Sequence, residues 1–389
     1  MSQRLLLSCG EPSGDLYAGA LIRELRALSP EMTITGLGGP QFAAAGGVLL
    51  EDFRGSAVTG VTAPLANIPR LLGLLRRLVA FARRERPDAL VVVDFQFFNA
   101  RLARRVKNLG IPVVYYVGPQ IWAWRPGRLK AIRRVASRVL VIFPFEAAIY
   151  EKGGVPVEFV GHPLVDVTKP TVSREAFLGR LGLLTAAPTV AILPGSRPDE
   201  VRRILPDLLA ASERIRERVP DAQFVVARAP RLRNELFAAV LPPALMVEGE
   251  TDAVLASADV ALTASGTATV QAALHDTPMV IVYRLPALEY LVGRRFMKID
   301  TFGMVNLIAG ERIVPELIQH AFTPAAVAAE AISMLTDRTR AARIREGLAI
   351  VRTRLGDPGA SRRAAEAILQ VLGGVKPASD SRSKSGAPR

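Results

Sequence analysis

The feature that most constrains this chain is a repeated alternation: short, continuous apolar runs, each closed by Gly, Pro or Asp, separated by longer stretches of helical periodicity. In the first half the runs are Arg4–Ser8, Thr33–Leu37, Ala89–Val93, Pro112–Val117, Arg138–Phe143 and Glu158–Val160. In the second half they are Thr189–Leu193, Gln223–Ala227, Leu245–Glu248, Val260–Thr263 and Met279–Val282. Runs without polar alternation belong to strands buried on both faces, which means parallel sheets covered by helices. A chain of 389 residues also exceeds what one core supports, and half of its residues are apolar. The expectation is therefore α/β: two Rossmann-like, doubly wound domains facing a cleft.

Composition shifts place the divisions. Pro163 to Pro188 reads as a linker followed by a short helix, Arg174–Leu181. We expect residues 1–163 to form the first unit and 164–345 the second, with a helix at 346–372 crossing back to the first. Residues 373–389, rich in Ser, Lys and Arg, read as a disordered basic tail. Leu5-Leu6-Leu7-Ser8-Cys9 superficially matches a lipoprotein signal, but the apolar run is far shorter than the ~7–15 residues such a signal needs. No run reaches the ~18 apolar residues that span a bilayer. Cys9 is the single cysteine, which rules out an internal disulfide.

The formal charge of +14 points to an acidic partner, with an arginine-rich composition as the plainer source. Nucleic acid would require basic residues interleaved with exposed aromatics. Aromatics make up 6% of the chain and the basic stretches alternate with leucine, so that class is set aside. Metal binding fares no better: His162, His275 and His320 lack ligand spacing, and no D-x-D triplet occurs. We expect neither metal nor cofactor.

The loops carry the chemistry. Gly10-Glu11-Pro12-Ser13-Gly14-Asp15 leaves the first run and enters a helix; it reads as a cleft loop built from Glu11, Ser13, Gly14 and Asp15, or as a tight turn capped by Asp15. Asp94 ends an apolar run at the mouth of the sheet, where it fits a general base or a helix cap. Gly195-Ser196-Arg197-Pro198 and Ser265-Gly266-Thr267-Ala268-Thr269 each join a run to a helix, and Gln271 follows on the next turn. Two such helix N-termini together with one guanidinium suit a nucleoside diphosphate without metal. Both tryptophans, Trp122 and Trp124, stand beside Arg125 on one loop, as a sugar or lipid platform or as packing for the cleft floor.

These segments, taken in order with Phe143-Pro144-Phe145-Glu146, Gly161-His162-Pro163 and Val305-Asn306-Leu307-Ile308, resemble glycosyltransferase family 19, the lipid-A-disaccharide synthases. The resemblance runs from about residue 4 to 372. It implies inverting transfer of 2,3-diacylglucosamine from its UDP ester to 2,3-diacylglucosamine 1-phosphate, forming a β(1→6) link and releasing UDP. It implies Asp94 as base for the acceptor hydroxyl. The UDP-sugar site it implies comprises Gly195, Ser196, Arg197, Ser265, Gly266, Thr267, Thr269 and Gln271, with Asn306 nearby. A family member with another acceptor, or a UDP-sugar epimerase on the same fold, is the alternative.

Three positions depart from the family pattern. Gln271 replaces a glutamate, Phe97 replaces the second aspartate of a D-x-x-D-F-N stretch, and Ala63 sits within Thr59–Leu65 where M-G-x-x-E-V-L is usual. Close by, Ile68, Leu71, Leu72, Leu75, Leu78 and Val79 share a helix face, with Arg70, Arg76, Arg77, Arg83 and Arg84 elsewhere. That helix fits an anionic membrane surface, with Arg76 and Arg77 among its contacts, or a sheet-covering role with solvated arginines. Leu291–Lys298 offers a second basic and apolar patch. The partners expected are thus a UDP-sugar, an acylated sugar phosphate and the inner face of the cytoplasmic membrane.

Overall fold

The computed structural model describes residues 3–53, 68–119, 128–169, 172–230, 232–285 and 303–374. Two parallel sheets form the frame. The first has seven strands: β1 (Arg4–Cys9), β2 (Thr33–Gly38), β3 (Val48–Asp52), β4 (Ala89–Val93), β5 (Val113–Tyr116), β6 (Arg138–Val141) and β7 (Val157–Phe159), in the order β3-β2-β1-β4-β5-β6-β7. The second has six: β8 (Thr189–Leu193), β9 (Gln223–Arg228), β10 (Leu245–Glu248), β11 (Val260–Ala264), β12 (Met279–Tyr283) and β13 (Glu316–Ile318), in the order β10-β9-β8-β11-β12-β13. The α/β expectation of two Rossmann-like units holds.

The central strands β1, β4, β8 and β11 are apolar because helices cover both of their faces; Leu5, Val91, Ile192 and Leu262 are completely buried. Two of the four edge strands, β3 and β13, do not read as apolar runs. Val48 and Leu50 of β3 are exposed, and β13 opens with Glu316. An edge strand buries less, so its sequence carries less of the signal.

Each sheet reverses strand order at one point, between β1 and β4 in the first and between β8 and β11 in the second. At such a point neighbouring connections run to opposite sides and leave a crevice outside the strand C-termini. The loops that open there are Gly10–Glu11 and Asp94–Phe95 in one sheet, and Pro194–Arg197 and Ser265–Gly266 in the other.

The last helix, Ala360–Leu372, packs on the first, Pro12–Leu28. Asp166 fixes its start by accepting from Gly359 N at 2.6 Å and Ser361 N at 2.8 Å, a carboxylate at a helix N-terminus. Further along, the buried Arg138 guanidinium donates to Gln370 Oε1 at 2.8 Å and pairs with Glu158 at 3.2 Å, so a charge out of water keeps its partners. Among the described residues, no helix is long and apolar enough to cross a membrane.

Candidate active site

Gly10 is where the two loops of the first crevice meet. A Cβ there would lie 2.2 Å from Cδ1 of Phe95, so only glycine lets the β1 and β4 loops close on each other. Asp94 and Phe95 hold left-handed backbone at φ 47° and 48°, a costly conformation for residues with side chains. Asn99 supports it: its Nδ2 donates to Asp94 O at 2.8 Å and to Val93 O and Ser8 O at 3.2 Å each, while its Oδ1 accepts from Ser8 Oγ at 2.7 Å. Asn99 is buried, and its bonds pin the turn that presents Asp94.

Asp94 is half-buried, and its pKa is pushed up to about 6. Burial is the main cause and the Glu11 carboxylate adds to it, while the Phe95 amide and Arg197 pull the other way. A carboxylate tuned toward neutrality has the basicity to take a proton from a hydroxyl.

Arg197 faces this carboxylate from the second sheet. Its Nη2 donates to Glu11 Oε2 at 2.8 Å and its Nη1 to Glu200 Oε1 at 3.0 Å. Burial works against the Arg197 charge, but the two carboxylates outweigh it and hold the guanidinium protonated. Glu200 also accepts from Ser196 N at 3.2 Å and Arg197 N at 3.3 Å. The amides at this helix start, read from sequence as phosphate donors, are therefore capped by Glu200, three residues into the helix Pro198–Arg218. Gly195 permits the turn with φ at 119°, and a Cβ on it would approach Glu200 Oε2 to 2.7 Å.

The other turn is more open. No side chain caps the helix Thr267–Leu274, and a Cβ on Gly266 would meet nothing within 4 Å. Its first amides are the freer anion site. Ser265 and Gly266 enter the turn half-buried.

Several sequence-predicted residues are engaged in bonds within the protein. Asp15 is buried and accepts from Gly39 N at 2.8 Å, Gln41 N at 2.9 Å and Phe42 N at 3.0 Å, so it caps the short helix Pro40–Ala44. Thr269 is fully buried and donates to Gly266 O at 2.7 Å. Gln271 donates to Asp252 Oδ1 at 3.1 Å. Asn306 is buried with its amide saturated: Oδ1 accepts from Ile313 N and Val314 N at 2.9 and 3.0 Å, and Nδ2 donates to Val314 O and Glu316 Oε1 at 2.9 and 2.6 Å. An asparagine amide has no further capacity, so Asn306 organises the approach to β13 and has none left for a nucleotide. Glu11, Ser13 and Gly14 remain at the crevice, where Ser13 is half-buried and Gly14 is packed against Cys9.

The helix Ile68–Glu85 has one buried face and one outward face. Leu74, Leu75, Leu78 and Ala82 face the protein, whereas Ile68 and Leu72 point outward with Arg70, Arg76, Arg83 and Arg84. Arg77 is tied to Glu51. Trp122, Trp124, Arg125, Ala63 and Leu291–Lys298 lie outside the described residues. Among the described residues, no group of His, Cys, Asp or Glu is arranged to hold a metal ion.

The family model for lipid-A-disaccharide synthetase matches residues 5–371. Lipid-A-disaccharide synthase of Myxococcus xanthus (strain DK1622) is 42% identical over 375 residues, covering 95% of this chain and 97% of the relative. That of Anaeromyxobacter dehalogenans (strain 2CP-C) is 45% identical over 382 residues, covering 96% and 98%. Among solved structures, UDP-GlcNAc 2-epimerase from Neisseria meningitidis bound to UDP-GlcNAc aligns with a TM-score of 0.68 at 11% identity over 95% of this chain and 100% of that one. The S. aureus MnaA–UDP structure aligns at 0.67 with 13% identity, covering 96% and 97%. At these identities the structures speak to the fold alone.

Proposed function

Since the chain belongs to the lipid-A-disaccharide synthase family, whose members are glycosyltransferases of lipid A biosynthesis, we propose that it transfers 2,3-diacylglucosamine from UDP-2,3-diacylglucosamine to the 6-hydroxyl of 2,3-diacylglucosamine 1-phosphate. The anomeric configuration inverts and UDP leaves. In this reading residues 1–163 bind acceptor and membrane, and 164–345 bind the donor.

The observation that carries the proposal is that Asp94 and Arg197 stand close enough across the crevice for the guanidinium to act on the Asp94 carboxylate. Asp94, with its pKa pushed up to about 6, takes the proton of the attacking hydroxyl. Arg197, held charged by Glu200 and Glu11, balances the charge that develops on the departing diphosphate. The uncapped helix start at Thr267 adds amide donors and the positive end of its dipole. When the diphosphate occupies Arg197, the stabilising pull of that guanidinium on the Asp94 carboxylate weakens. Donor binding therefore makes Asp94 a stronger base. The same diphosphate site leaves metal unnecessary, and the exposed arginines of the helix Ile68–Glu85 hold the enzyme against the inner face of the cytoplasmic membrane.

An epimerase reading rests on the likeness in fold. Incubation with UDP-2,3-diacylglucosamine, with and without acceptor, separates the two. Release of UDP only with acceptor supports the transferase; release or a new UDP-sugar epimer without it overturns the transferase.

A further inference from the structure

A cavity of about 1000 Å³ lies between the helix Gln96–Lys107, which begins two residues after Asp94, and the helix Arg128–Val135. Its floor is apolar, made by Phe97, Ala100, Ile132 and Val135. Cations rim it: Arg101, Arg104 and Lys107 on one side, Arg134 on the other. Among the described residues, no Asp or Glu lines it and none of these cations forms an ion pair.

Cations spaced three and four apart along one helix repel, each pair costing a few tenths of a kcal/mol. Their place in the last turns recovers part of that from the helix dipole. What the dipole does not explain is the apolar floor facing them, whose Phe97 is 53% exposed. An apolar groove beneath unneutralised guanidinium groups is complementary to a phosphate ester carrying hydrocarbon, and its volume suits one molecule of that kind.

Position decides which such molecule. The groove opens at Gln96 and Phe97, directly past the Asp94 turn, and Arg101 and Arg104 stand about 8–12 Å along the helix by its 1.5 Å rise. One hexose and its phosphate ester span such a distance, with a hydroxyl at one end and the phosphate at the other. A bulk membrane lipid would gain nothing from the closeness to Asp94.

Resting on the transferase reading above, we infer that this groove seats the acylated sugar phosphate acceptor: Arg101 and Arg104 take its phosphate, and the Phe97–Ala100–Ile132–Val135 floor takes an acyl chain. Phe97, the departure from the family's aspartate, then serves as apolar floor where a carboxylate would repel both parts of the ligand.

The test is calorimetry on the full-length chain with glucosamine 1-phosphate bearing two hexanoyl chains, its phosphate-free counterpart and its diacetyl analogue. Arg101→Gln with Arg104→Gln should weaken the dihexanoyl phosphate about 10–150-fold, the scale of losing hydrogen bonds to a charged group, and leave the phosphate-free compound unchanged. Ala100→Trp, an exposed position that fills the groove, should weaken the dihexanoyl ligand and spare the diacetyl one. Three results overturn the inference: no binding by wild type, wild-type affinity in both variants, or a loss in the double variant confined to phosphatidylglycerol vesicles. UDP release by wild type reports separately on the transferase reading, so the two can fail independently.

Discussion

Glu11 Oε2 lies 2.8 Å from Arg197 Nη2, a contact that ties the first crossover loop of one sheet to the first crossover loop of the other across 186 residues of sequence. The Arg197 side chain is 36% exposed and that of Glu11 23%, so water screens the pair and it is worth little on its own. That makes it exchangeable: a diphosphate offers the guanidinium two charged oxygens in place of one carboxylate.

The exchange has a measurable consequence. Glu11→Gln removes the competitor and should raise UDP affinity about 2–5-fold, the scale of an exposed ion pair. It also removes a charge that raises the Asp94 pKa. The acid limb of kcat/KM, set by deprotonation of Asp94 near pH 6 in the wild type, should move to lower pH. Weaker UDP binding, or a limb that stays in place, would separate Glu11 from both roles.

Asp94→Asn keeps the shape and removes the base. Turnover should fall about 10²–10⁴-fold with UDP affinity nearly unchanged. Stability supplies a second readout. The native pKa of Asp94 lies above the unfolded value, so its contribution is favourable when protonated and is lost as pH rises through about 6. At pH 8 the variant should therefore melt at a higher temperature than wild type.

His162 behaves oppositely. It is fully buried, it accepts from Leu164 N at 3.1 Å, and burial lowers its pKa from 6.5 to about 3. The unfolded chain then takes up a proton that the native one refuses, so stability is lost as pH falls below about 6.5. That proton costs about 1.4 kcal/mol per pH unit. Urea unfolding at pH 6.5 and 5.0 should show a drop about 2 kcal/mol larger in wild type than in His162→Asn, which keeps an acceptor. Equal drops would mean that His162 is protonated in the native state.

Legibility in the sequence followed burial. Strands buried on both faces, such as Val190–Leu193 and Val260–Leu262, declare themselves as apolar runs. β3 and β13 do not, because one carries Glu51 and Asp52 and the other Glu316 at a sheet edge. The site divides in the same way. Arg197 and Asp94 stand at strand ends, where a pattern points at them. Glu200 was accessible as the acid three residues into a helix opened by Pro198. The Glu11–Arg197 link, and the saturation of Asn306 by the backbone of Ile313 and Val314 and the Glu316 carboxylate, join residues that no local spacing relates.

The helix Ile68–Glu85 gives a graded test of membrane contact. Arg76 and Arg83 border an outward cleft with Leu72 and Val79, whereas Arg77 is engaged by Glu51. Arg76→Gln and Arg83→Gln should each weaken binding to phosphatidylglycerol vesicles by about 1 kcal/mol at low salt, and Arg77→Gln by less. Equal losses at all three positions would indicate a diffuse charge effect without a defined face.

Calorimetry of UDP binding to wild type, Arg197→Ala and Arg197→Lys, with and without EDTA, tests the central claim most directly. With Glu200 capping the amides of its own turn, the Arg197 guanidinium must carry the diphosphate from this side of the crevice. Arg197→Ala should therefore cost about 1.5–3 kcal/mol, or about 10–150-fold in affinity. Arg197→Lys should recover only part of it, since an ammonium lacks the planar fork, and EDTA should leave wild-type binding intact. Equal affinities in the three proteins, or binding abolished by EDTA, would contradict the account.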